Sequence, residues 1–275
     1  MNDLAVEPGT ERAHFLRPRG RAGLEALHAT FVRHRYALHT HETFTIALVE
    51  RGAASFDLDG FRHVAPAGST FVIPPNGPHT GESATPGGYT YKVLYIDPEE
   101  AAAELDAPAG RDPSQAEVVI EAPQIAARLA RLHRLLAKNA TGLEYGESLS
   151  VSLASLRPLL TTHPASETRR NRNAAVRRAR AYLEDHFAER VSLEELAREA
   201  RLSTYHLART FRTEVGIPPS TYQRQLRIRR PMQELRAGVP AARVAADCGF
   251  ADQAHLTRQF KRVVGVPPAT FASAG

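Results

Sequence analysis

Two groups of residues in this chain have types and spacings that could do chemistry. The first is His39-Thr40-His41 together with His79, which follows the breaker run Pro74-Pro75-Asn76-Gly77-Pro78. Three convergent imidazoles can hold a divalent metal, offer polar contacts at a pocket rim, or hydrogen-bond within the fold. The second group is a repeat. Residues 203–222 align with 252–271 at a constant offset of 49, with identities at His206/His255, Leu207/Leu256, Arg209/Arg258, Phe211/Phe260, Val215/Val264 and Gly216/Gly265. Upstream the offset is 48, pairing Leu196-Ala197 with Val244-Ala245, so the second copy has one extra residue in its turn. An arginine recurring at one place in two copies suits a polyanion, since guanidinium bonds bidentately to guanine or clamps phosphate.

The elements that must position these arginines are helices. Ser192-Leu193-Glu194-Glu195 is a capping box, and Leu193, Leu196, Ala197 and Ala200 form the inner face of the helix it starts. After a short turn, Ser203 caps a second helix, and Asp252 does the same in the second copy. Leu207 and Phe211, like Leu256 and Phe260, anchor these helices. Gly216 and Gly265 suit left-handed ends, and Pro218 and Pro267 prevent continuation. This is helix, tight turn, helix, a pattern whose second helix can enter the DNA major groove. Tyr205, Ala208 and Arg209 are expected to read bases from the first copy, and Gln253, Ala254, His255 and Arg258 from the second. Arg212, Lys261 and Arg262 are expected to hold phosphates. A solvated helix face, or an ion pair shared by the two arginines, is the plainer alternative.

Charge follows the same division. Residues 1–168 carry 15 Lys and Arg against 20 Asp and Glu, whereas residues 169–275 carry 20 against 10. A basic second part on an acidic first part directs a polyanion partner to the former only. Only three residues are lysine, so base composition explains Arg over Lys but not the segregation. The single cysteine, Cys248, rules out an internal disulfide framework and a multi-cysteine zinc site, and reads as a small core residue. No run approaches a membrane span and the start lacks a signal-peptide pattern, so a cytoplasmic protein is expected, with no membrane partner.

From about Phe31 to Ile96 short strands alternate with turn signals: 43–49, 55–58, the Asp59-Gly60 hairpin signal, 61–64, 70–73, and an alternating strand at 89–96. Regular short strands argue for a sandwich or small barrel. Beyond a Pro/Ala/Asp-rich connection at 97–116 the period becomes helical. Ile125, Leu129, Leu132, Leu135 and Leu136 stripe one helix at about 123–139, and Leu149, Leu153, Leu156 and Leu160 another at about 144–161. These stripes could pack on the barrel or pair with a second subunit. Thr161 to Asn173 is polar and reads as a linker.

From about Val176 to Phe271 the chain resembles the DNA-binding domain of AraC/XylS-type transcription regulators. The resemblance rests on Leu196-Ala197-x-x-Ala200, Ser203 to Phe211, Gly216-x-Pro218, Gly249-Phe250-x-Asp252, His255-Leu256-x-Arg258-x-Phe260-Lys261 and Gly265-x-Pro267-Pro268. The strand-rich part, with its histidines, resembles the cupin-like sensor domain of many such regulators. The resemblance implies an α+β chain: a cupin-like β-barrel with following helices for effector binding and dimerisation (1–165), a linker (166–173), and an all-α tandem helix-turn-helix domain (174–275). The implied function is bacterial transcription regulation without enzymatic activity, in partnership with double-stranded operator DNA, RNA polymerase, a second copy and a small-molecule effector. His39, His41, Phe44, Ile46, Phe71, His79 and Tyr91 are the expected effector contacts. No cofactor and no metal are expected, because Thr45 and Ile46 stand where a cupin places its glutamate ligand. Two further departures matter: Pro231 should kink or reset the helix linking the repeats, and Arg201, where a glycine is usual, should loosen the first turn. A metal enzyme fused to DNA-binding helices, or a constitutive DNA-architecture protein, explains less of the pattern.

Overall fold

The computed structural model describes residues 11–18, 23–58, 60–106, 118–138, 140, 142–160 and 174–273. The expected linker and Asp59 lie outside the described residues. The chain forms two compact units, the first from residues 11–36 and 41–160 and the second from residues 174–273 together with 37–40.

The strands from Arg12 to Ile120 make two sheets. The larger contains β1 (Arg12–Leu16), β2 (Leu24–Phe31), β9 (Tyr89–Ile96), β4 (Phe44–Arg51), β7 (Thr70–Ile73) and β10 (Val119–Ile120), in that order across the sheet. The smaller runs β3 (Tyr36–His39), β8 (His79–Ser83), β5 (Ala53–Leu58) and β6 (Phe61–Pro66). β5 and β6 form the expected hairpin, with Leu58 opposite Phe61 and Gly60 in the left-handed region. Three helices with a short fourth follow: α1 (Pro98–Leu105), α2 (Pro123–Ala137), α3 (Leu143–Ser155) and α4 (Arg157–Leu160). The connection at 97–116 thus opens with a helix that strand and turn signals did not show.

Strand parity divides the large sheet into two surfaces. Leu24 and Ala26, Phe44, Ile46 and Leu48, Val72, Leu94 and Ile96 face the helices, packing with Leu129, Leu132, Leu136, Leu149, Leu153, Leu156 and Leu160. Each such leucine contributes roughly 1.5–3 kcal/mol on full burial. Apart from half-buried Leu135, both leucine stripes therefore pack on the barrel, which leaves the outer faces of α2 and α3 uncovered by it. The opposite parity faces the smaller sheet. Tyr36 on β3 meets Tyr91 on β9, their hydroxyls 3.3 Å apart, and Phe56 on β5 stacks on Phe71 of β7 at 4.5 Å.

The helix-facing surface also holds a charged cluster. Glu50 accepts from His28 at 2.9 Å and from Lys92. Burial alone would raise its carboxyl, but these hydrogen bonds and charges outweigh it and hold the group at about 2. Above them His133 on α2 donates through Nε2 to the Leu27 carbonyl at 3.1 Å. Burial, helped by Lys92 and His28, pushes His133 down to about 4, so it is neutral at pH 7.

The second unit is helical: α5 (Ala174–Asp185), α6 (Leu193–Ala200), α7 (Thr204–Val215), α8 (Pro219–Arg236), α9 (Ala241–Asp247), α10 (Gln253–Val264) and α11 (Pro268–Ala272). Its first half closes around Val176, Ala179, Leu183, Leu196, Leu207, Phe211, Ile217 and Tyr222. In its second half Val244, Ala245, Cys248, Leu256, Phe260 and Phe271 are buried. Of the two expected outcomes for Pro231, a reset is not seen: α8 runs from Pro219 to Arg236 without a break. The missing donor removes one backbone bond, while buried Ile228 and Leu235 hold the helix on both sides of it.

Candidate nucleic-acid interface and sensor barrel

Both repeat copies build the same device with different parts. In the first, Ser192 accepts from the Glu195 amide at 3.1 Å while the Glu195 carboxylate takes the Ser192 amide, completing the capping box. α6 ends at Arg201 in the left-handed region (φ 58°), and the Leu202 amide donates back to the Ala197 carbonyl at 3.0 Å. The turn is therefore as tight as a glycine would make it, correcting the expectation for Arg201. Arg178 on α5 donates to the Ala200 carbonyl at 2.8 Å, satisfying an acceptor that the helix end leaves over. Ser203 then caps α7 through the His206 amide at 3.3 Å.

In the second copy Gly249 takes the left-handed place (φ 73°), and Phe250 donates to Ala245 at 3.0 Å. The inserted residue is Ala251. Asp252 caps α10 by accepting from the His255 amide at 2.6 Å. A Cβ on Gly249 would come within 2.5 Å of the Ala188 carbonyl oxygen, so glycine is required there for space as well as for φ. α7 and α10 both end at left-handed glycines, Gly216 and Gly265.

With Leu207 and Phe211 buried on α7, and Leu256 and Phe260 on α10, the opposite faces are outward. Tyr205 is 70% exposed, and Arg209, Arg212, Gln253, Ala254, Arg258, Lys261 and Arg262 are exposed, with Ala208 half-buried. Among the described residues neither Arg209 nor Arg258 is in an ion pair, which leaves the shared ion-pair reading without an acid. His255 differs from its neighbours: its ring lies edge-on to Phe250 at 5.4 Å and its Nδ1 accepts from the Ala251 amide at 3.4 Å. That histidine is engaged in the turn.

In the first unit the sensor candidates separate by parity. His39, His41 and His79 come together, their ligand atoms all within 4.8 Å of one another. Phe71 and Tyr91 face the interior between the sheets. Phe44 and Ile46 do not: they lie in the helix-packed cluster, opposite Ile96 and Leu94 on β9. β4 is buried on both faces, so its sequence shows no polar alternation to reveal which parity turns inward. Sequence reasoning also missed Tyr36, Tyr89 and Tyr95. Tyr89 and Tyr95 share the parity of Tyr91, which was the available signal. The rings of Tyr89 and Tyr91 lie 4.9 Å apart, and Tyr95 meets His41 at 5.4 Å. Burial raises all four tyrosines well above the ordinary phenol range, so they are neutral hydrogen-bonding groups.

Two family models match the chain: an AraC-like ligand binding domain over residues 21–156 and a helix-turn-helix domain over 196–274. The chain belongs to the AraC family of transcription regulators. An uncharacterized HTH-type transcriptional regulator of Bacillus subtilis, YbfI, is 26% identical over 233 residues, 84% of each chain. The HTH-type transcriptional activator RhaS of Escherichia coli O139:H28 is 25% identical over 228 residues, covering 78% of this chain and 79% of that one. Among solved structures, apo ToxT from Vibrio cholerae SCE256 overlays with TM-score 0.59 at 12% identity, covering 92% of this chain and 98% of the other. ToxT bound to an unsaturated fatty acid overlays at 0.55 and 11%, covering 98% and 97%. At these identities the overlays speak to fold, and AraC-family membership rests on the two models and the sequence relatives. As an AraC-type regulator the protein binds DNA through its helix-turn-helix domain. No described helix is long and apolar enough to cross a membrane.

Proposed function

We propose that this regulator reads its operator through the outer faces of α7 and α10, under control of a small molecule held between the sheets of the first unit. The observation that carries the DNA reading is the pair of outward arginines, Arg209 and Arg258, at the same place on two capped helices whose other face is buried. Tyr205, Ala208 and Arg209 contact bases from one copy, and Gln253, Ala254 and Arg258 from the other. His255, assigned to base reading on sequence, contributes by fixing the turn. Arg212, Lys261 and Arg262 hold phosphates. Arg258→Ala should weaken a specific site by about 1–3 kcal/mol while largely sparing random duplex. Equal losses on both would make Arg258 a phosphate clamp.

For the effector, the interior offers His39, His41, Phe71, His79 and Tyr91, joined by Tyr36, Tyr89 and Tyr95. Aromatic rings carrying hydroxyls suit a ligand with an apolar body and a polar end. Bound effector and operator must change each other's affinity by the same factor. A thermal-shift screen of metabolites on the full chain, followed by operator titration with and without the hit, tests this. Operator affinity and transcription output unchanged at saturating effector would reject it. A second copy docking through α2 and α3, contact with RNA polymerase, a cytoplasmic setting and the absence of catalysis complete the proposal.

A further inference from the structure

We propose that Arg201, in the turn between α6 and α7, is a phosphate clamp by which the first repeat copy grips the DNA backbone, a contact the second copy does not make. The inference rests on the reading of α7 and α10 as base-reading helices, and it adds a contact beyond those of Arg212, Lys261 and Arg262. Three features carry it. First, Arg201 stands in the left-handed region (φ 58°) at the end of α6. Backbone of that kind strains any residue with a Cβ, and glycine takes it without cost. The second copy does use glycine at the matching place, Gly249. The first copy keeps an arginine there although the fold draws nothing from its side chain: Arg201 is exposed and, among the described residues, its guanidinium is in no ion pair or hydrogen bond. A strained residue whose side chain does nothing for the fold points to a role outside it.

Second, the position fits the backbone. In a helix-turn-helix the first helix crosses the DNA backbone while the N-terminal residues of the second meet the base edges. Arg201 lies at the junction of the two, just before the Ser203 cap and the outward Tyr205. A long cationic side chain at that junction meets phosphate, and the guanidinium fork matches phosphate oxygens. Third, the two turns differ in charge. Ser203, which caps α7, is neutral, whereas Asp252 caps α10 with an exposed carboxylate. A carboxylate repels phosphate where a guanidinium draws it. The first turn is thus built to lie against the backbone and the second to stand off it, so the copies share base reading but not this grip.

The test uses the full-length protein and two labelled probes: a random-sequence duplex, and a site recovered from random DNA by repeated selection with the natural protein. Arg201→Gln should weaken both alike, by about threefold or more at low salt, and lower the slope of log affinity against log salt by about 1. Arg201→Gly should do the same while being at least as stable as the natural protein in denaturant, which separates a lost contact from a damaged turn. Arg201→Lys should restore most of the slope, because a point charge still neutralises a phosphate. Arg33→Gln, which removes one exposed charge from the first unit, should leave the slope unchanged. An unchanged slope in Arg201→Gln, an equal change in Arg33→Gln, or a loss confined to the selected site would each overturn the clamp. Arg209→Ala and Arg258→Ala check the underlying reading on the selected site. Loss there with an unmoved Arg201 slope rejects the clamp alone, whereas no loss there rejects the base reading and the clamp together.

Discussion

Arg201 and Gly249 occupy matching places at the ends of α6 and α9, both in left-handed backbone, and they should respond oppositely to substitution. Arg201 holds a conformation that disfavours any side chain with a Cβ, so Arg201→Gly is expected to stabilise the second unit by about 0.5–1 kcal/mol. Gly249→Ala brings the same backbone penalty plus a clash with the Ala188 carbonyl, and should cost about 2–4 kcal/mol. Denaturant titration of the two variants checks both signs. At the same scale, His133 makes the first unit acid-sensitive. Its folded value is about 4 against an ordinary 6.5, so between these limits the unfolded chain takes up a proton that the folded chain refuses. Stability therefore falls as pH drops from about 6.5 toward 4, by at most roughly 3 kcal/mol. Glu50, held at about 2, extends the loss to lower pH as the unfolded carboxyl begins to protonate near 4.5. Melting of His133→Gln from pH 7 to 4 should show a flatter dependence than the natural protein; an unchanged slope would place the proton uptake elsewhere.

At the scale of elements, the linking helix α8 carries an internal proline yet keeps its length. Restoring the donor with Pro231→Ala should raise stability by about 1–3 kcal/mol in chemical denaturation. α8 also reaches back to the turn after α5: Gln223 donates to the His186 and Glu189 carbonyls at 3.2 and 2.9 Å, and Arg227 to the Phe187 carbonyl at 2.6 Å. Gly249 abuts Ala188 in this same turn, so one short segment is braced from both halves of the unit. The repeat was legible in sequence because it is written twice, each copy carrying its own caps, anchors and stop signals. β7 and β9 were legible to the residue, as an apolar run closed by prolines and an alternating tyrosine row. β1, β2 and α1 were not singled out. Their pairing or packing partners are distant in the chain, and α1 begins inside a stretch whose composition suggests a connection. Phe44 and Ile46 were assigned to the wrong face of β4 for the reason already visible in its burial, since a strand covered on both sides carries no polar mark.

Across the whole molecule, the acidic first unit and basic second unit confine DNA binding to the latter. Affinity for any duplex should fall steeply with salt, and each phosphate-holding residue sets part of that slope. Lys261→Ala is expected to reduce the log–log salt slope by about 1 and to weaken specific and random DNA alike, in contrast to Arg258→Ala. Titration at several salt concentrations distinguishes them. The tyrosine row of β9 has a wider consequence. Its odd-numbered side chains face the smaller sheet and its even-numbered ones the leucine-lined side, with neighbours on both edges keyed to the same count. Exchanging one amino acid for another there leaves the count intact, but deleting or inserting a single residue would send every later side chain to the wrong tenant. Length changes among related chains are thus expected to collect in the turns at Gly60 and 84–88, with β9 itself varying only in letter.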